Sequence, residues 1–101
     1  MLRLPDSRSL KAKRSVVRGL RDRLRARYGV SAAETDFQDN PQRAEITASL
    51  VSSDYPLAES MLGKIDDTVC SDPRLHVIER QVEVFRYGGD DVLSSHPERR
   101  P

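Results

Sequence analysis

Hydrophobic positions along the chain change period four times, and each change marks an element. Met1 to Leu4 is short and mostly apolar, and Pro5 stops it, so it reads as the end of a strand. From Leu10 to Tyr28 the apolar residues fall on one helical stripe: Leu10, Val16, Val17, Leu20, Leu24 and Tyr28. Ser7 or Ser9 can cap this helix, and Gly29 stands where a left-handed C-terminal cap is wanted. At ~1.5 Å per residue the helix is ~28 Å long. Val30 to Phe37 reads as a second strand, and residues 38 to 42, with Asp39, Asn40 and Pro41, as a turn. Between Arg43 and Ser52 the pattern alternates: Ala44, Ile46, Ala48 and Leu50 on one face, Glu45, Thr47 and Ser49 on the other. Ser53 or Asp54 then opens a second helix with Pro56 in its first turn. Its expected buried stripe is Leu57, Ala58, Met61, Leu62, Ile65 and Val69, and Asp72-Pro73 ends it. Leu75 to Tyr87 reads as a long last strand, with Ile78, Val82 and Val84 on one face and Glu79, Gln81 and Glu83 on the other.

The order is β-α-β-β-α-β. It predicts an α+β, ferredoxin-like sandwich of a four-stranded antiparallel sheet with two helices on one face. A sheet completed by a partner chain is the alternative. Residues 1 to 87 form the expected domain, and 88 to 101, polar and proline-containing after Gly88-Gly89, a loose tail. In this topology the first strand is central, yet four residues span only ~13 Å at ~3.3 Å each. Much of the inner edge of its neighbours would lack backbone partners. The expectation is a natural start several residues upstream of Met1.

Charge sharpens this picture. Residues 1 to 28 carry ten Lys/Arg against Asp6 and Asp22, a net of +8; residues 29 to 101 carry seven against fourteen acids, a net of −7. The whole-chain value of +1 hides this asymmetry, which points to a polyanion or an acidic partner. Within the first helix, Lys11, Arg14, Arg18, Arg21 and Arg25 lie on one flank beside the apolar stripe, at spacings of three and four. Arg23 and Arg27 fall on the opposite flank, and Ser15, Gly19 and Ala26 on a small-residue back. Such a row can neutralise successive phosphates, and Arg forks bind phosphate oxygens in pairs. The helix start at Ser7, Arg8 and Ser9 adds amide donors for one more phosphate. The plainer reading is a solvated face, with Asp22 paired to Arg18 or Arg25. The candidate nucleic-acid contacts are therefore Ser7, Arg8, Lys11, Arg14, Arg18, Arg21 and Arg25. The open face of the sheet, expected to show Glu45, Thr47, Ser49, Glu79, Gln81 and Glu83, is acidic and without aromatics. It should repel a backbone, unlike a base-stacking RNA reader.

Other chemistry is thin. Asp36, Gln38 and Asp39 read as turn residues. His76, His96 and Cys70 lack ligand spacing, and Cys70 reads as a small buried residue. Ser7 and Ser9 read as caps, with no base beside them, and no phosphate-cradling Gly-rich loop is present. No enzyme, metal or cofactor is expected. With 37% hydrophobic and 33% charged residues in 101, one modest core is expected. No window approaches the ~20 apolar residues of a membrane span, and no signal peptide is recognisable. Cytoplasmic localisation is the expectation.

The run Leu4-Pro5-Asp6-Ser7-Arg8-Ser9-Leu10-Lys11-Ala12-Lys13-Arg14, followed by Gln38-Asp39 and Gln42-Arg43-Ala44, resembles the small bacterial family called YlxP, a domain of unknown function. The resemblance covers roughly residues 1 to 85. It implies a ferredoxin-like fold in a bacterial cytosolic protein, with family genes often beside those for translation initiation and ribosome maturation. No catalytic residue comes with it. Members usually have a fuller first strand, many have an acid at the position of Ala12, and many a bulky residue at that of Pro41. The expectation is a non-catalytic accessory protein that docks on ribosomal RNA or a ribosomal subunit through its first helix. A protein-interaction module or homodimer, pairing through the long fourth strand, is the alternative. A small-ligand domain is the third.

Overall fold

A computed structural model describes residues 1–86. The elements are β1 (Leu2–Arg3), α1 (Leu10–Tyr28), β2 (Ser31–Asp36), β3 (Arg43–Ser49), α2 (Tyr55–Cys70) and β4 (His76–Val77). All strand pairs are antiparallel, in the order β2-β3-β1-β4, with both helices against one face. This is the ferredoxin-like arrangement that the alternation of periods implies. The tail expected over 88 to 101 lies outside the described residues.

Local chemistry sets the helix ends. The Ser9 hydroxyl accepts from the Ala12 amide, and the Asp54 carboxylate from the Leu57 amide, so each start has one free N–H satisfied. Gly29 closes α1 at φ 64°, and its N–H donates to the Arg25 carbonyl. Between the layers lie Leu2, Leu4, Val17, Leu20, Leu24, Val30, Ala32, Ala44, Ile65 and Leu75. The β2–β3 register slips by one residue at Thr35, and Thr35 turns its hydroxyl onto Glu45 and Thr47 of the open face.

Three expectations change. The last strand is shorter than the thirteen residues expected: among the described residues only His76 and Val77 pair. A strand persists only where a neighbour offers N–H and C=O groups. β1 offers them at Leu2 and Arg3, and Met1 adds contacts to Ile78 and Glu79. Past Glu79 no ladder forms among the described residues. Next, Val77 is the residue opposite buried Leu2, so it points inward and Ile78 stands 49% exposed. The face assigned to Ile78 is therefore inverted, and Glu79 instead lines a cavity of about 180 Å³ beside Leu24, Ile46 and Ile65. Finally, α2 buries less than its stripe suggests. Ile65 is buried, but Leu57 is 54% exposed. Cys70, expected to be buried, is exposed at the helix end, on the side away from Ile65.

Candidate nucleic-acid interface

The flank of α1 carries the basic row as its spacing implies. Lys11, Arg14 and Arg18 are exposed and have no ion pair among the described residues. They climb the helix at spacings of three and four, with Arg8 exposed just before its start. From Lys11 to Arg21 the row runs ~15 Å along the axis.

Two candidate residues are tied into the fold instead. Ser7 is buried, 9% exposed, and its hydroxyl donates to the Ser9 carbonyl, so it does not present itself to a phosphate. Arg25 donates from Nε and Nη2 to the Ala32 carbonyl, at 3.0 and 2.7 Å. That bond pins the end of α1 to the start of β2. It also shows that the basic flank overlooks the β2 edge of the sheet. Arg21 pairs with its neighbour Asp22 at 2.9 Å, where the sequence suggested Arg18 or Arg25 as the partner of that acid. On the opposite flank Arg23 lies 3.8 Å from Asp72.

Lys13 belongs to the same motif and has a different fate. It is fully buried. Its Nζ donates to Glu34 Oε2 at 2.7 Å, and to the carbonyls of Phe37, Gln38 and Arg43 at 2.8, 3.2 and 3.3 Å. The ammonium thereby closes the β2–β3 hairpin, where Phe37 holds φ at 62°, a left-handed conformation that is unfavourable for a bulky residue. The signal was present in the chain: Lys13 sits four residues before Val17 and seven before Leu20, inside the apolar stripe. Glu34 likewise shares the inward parity of Ala32.

Asp72 forms a second polar knot. Its side chain is 2% exposed and accepts from the Arg74 amide, Nε and Nη2. The Arg74 side-chain bonds hold the carboxyl down at about 2, against the opposing effect of burial; the Arg74 amide and the charges of Arg74 and Arg23 add to the lowering.

The open face of the sheet is not the acidic surface expected. Glu45 is there, its carboxylate accepting from Thr35 at 2.7 Å. Inward Leu2, Ala44 and Val77 leave Arg3, Arg43 and His76 pointing outward. Among the described residues no group of His, Cys, Asp and Glu could hold a metal ion, and no helix is long and apolar enough to cross a membrane.

These features define a small α+β sandwich with a polybasic helix flank and a buried lysine clamp. The family described as "Protein of unknown function (DUF503)" matches residues 1–82, and the chain belongs to that family. No curated protein and no solved structure matches the chain.

Proposed function

We propose that this protein is a non-catalytic accessory factor of the bacterial cytoplasm that docks on ribosomal RNA or a ribosomal subunit through α1. One observation carries the reading. Lys13, Arg74 and Arg80 are each committed to an acid, whereas Lys11, Arg14 and Arg18 stand in register with none among the described residues. An ordered run of unpaired guanidinium and ammonium groups suits a phosphate backbone, which carries charge at regular intervals. The likeness of the Leu4-to-Arg14 run to YlxP proteins, whose genes neighbour those of ribosome maturation, adds support. Arg8 and Arg21 extend the row, and Arg25 serves mainly to hold β2.

The test is binding to small ribosomal subunits and to structured RNA across ~50 to 200 mM salt, where a slope for ~4 neutralised phosphates is expected. The substitution set R14E/R18E/R21E should abolish binding with the helical circular dichroism unchanged, while R25Q should lower stability more than affinity. Unchanged binding by the triple variant would remove α1 from the mechanism.

A protein-binding role has one observation in its favour. The β1-facing edge of β3 meets no strand beyond Ala44 among the described residues, and exposed Val82 and Val84 lie nearby. A complex with a protein partner that forms without RNA would favour that role.

A further inference from the structure

The three outward side chains of the sheet form a line. Arg43 on β3 is the register partner of Arg3 on β1, and Arg3 is the register partner of His76 on β4. Neighbouring strands lie ~4.8 Å apart, so the line crosses three strands in ~10 Å. All three residues are exposed. Neither guanidinium has an ion-pair partner among the described residues; Arg43 Nη1 reaches only the weakly accepting Met1 sulfur, at 3.9 Å. The nearest acid along β3, Glu45, is occupied by the Thr35 hydroxyl.

Like charges placed opposite one another on adjacent strands destabilise a sheet. Here two arginines are register partners on adjacent strands, and no acid pairs with either among the described residues. An anion seated between the two forks would remove the repulsion and accept hydrogen bonds from both, with His76 offering a further donor. The three exposed residues form a ledge on the open face of the sheet. A free small anion would remain in competition with water there, whereas a phosphate belonging to a chain held at several points would not.

We infer that Arg43, Arg3 and His76 form a second phosphate-binding site for a nucleic-acid strand, on the face of the sheet opposite α1. The choice of nucleic acid as the ligand rests on the docking reading above; the site itself does not require α1 to bind. The sheet separates the two basic surfaces, so the strand segment on the ledge is a different one from that on the helix. The protein would then bridge two segments.

Fluorescence anisotropy with a labelled oligouridine tests this, using wild type, R3Q/R43Q and R14E/R18E/R21E, with a thermal melt of each at low salt. R3Q/R43Q is expected to bind about tenfold more weakly at ~50 mM salt, with a salt slope smaller by ~1.4, the value for two lost contacts to a single strand. Its melting temperature should equal or exceed that of wild type, because the repulsion is gone. If β1 tolerates the change poorly and the melt falls, R43Q alone, which leaves β1 untouched, replaces it and should lose about threefold in affinity with a slope smaller by ~0.7. Wild-type affinity in the glutamine variants overturns the inference, and if the α1 variant has lost binding, the proposed docking helix survives. Loss in R3Q/R43Q with retention in the α1 variant has the opposite meaning. Absence of binding by wild type sinks both. Weaker binding to phosphatidylserine vesicles in R3Q/R43Q, with RNA affinity unchanged, would also overturn the inference and assign the ledge to lipid phosphate.

Discussion

Replacing Lys13 with Met tests the central structural claim, that the most buried charge of the helix motif is a clamp and not part of the binding row. Met keeps most of the stem and removes the charge and its donors. Four acceptors lose that partner: Glu34 Oε2 and the carbonyls of Phe37, Gln38 and Arg43. The Phe37 carbonyl still accepts from the Asn40 amide, at 3.0 Å. The Glu34 side chain, only 18% exposed, is left as an uncompensated charge. Removing one partner of a buried pair costs ~3–5 kcal/mol, out of a total stability of ~5–15 kcal/mol for a domain. For a domain of this size that lowers the melting temperature by at least about 12 °C. In urea, followed by circular dichroism, the midpoint should fall with the slope unchanged. The second variant K13M/E34Q removes the stranded charge and should recover at least ~1 kcal/mol relative to K13M. A K13M cost below ~1 kcal/mol, or no recovery in the double variant, would refute the clamp.

Two further outcomes are expected. The Asp72 carboxyl titrates lower in the folded protein than in the unfolded chain, at about 2 instead of 3.8, so its contribution is complete above pH 4 and is lost as pH falls towards 2. D72N should therefore cost about 2 kcal/mol at neutral pH, and the gap between its stability–pH curve and that of wild type should close below pH 4; a gap that stays constant would contradict the assignment. Gly19 lies mid-helix with nothing within 4 Å of an added Cβ, while Gly29 holds φ at 64°. Gly19→Ala should raise stability by ~1 kcal/mol and Gly29→Ala should lower it by ~1 kcal/mol, measured by urea melts.

Most of the candidate site was legible because it depends on neighbours in sequence. The spacing of Lys11, Arg14 and Arg18 places them on one helical flank whatever the rest of the chain does. Ser7 and Arg25 were legible only as residue types. A serine before a helix and an arginine on its flank reveal nothing of the loop that covers one or the carbonyl that engages the other. The Arg43–Arg3–His76 line was invisible for the same reason, since its members are brought together by strand register across the sheet.

The sequence by itself determined the helices, the Gly29 cap, the basic flank and the β-α-β-β-α-β order, and narrowed each N-cap to two residues, because periodicity, capping and turn chemistry act over a few residues. Tertiary structure alone decided how far each strand persists, since a backbone edge is a strand only opposite another edge. It also decided which way the last strand faces. Val77 turns inward because Leu2 is its partner, and that leaves Ile78 outside. It decided, too, the fate of the two lysines in the motif. Lys11 meets solvent, while Lys13 meets Glu34, which lies 21 residues further along the chain. A charge inside an apolar stripe is tolerated only where the fold delivers an opposite charge and carbonyls to the same point.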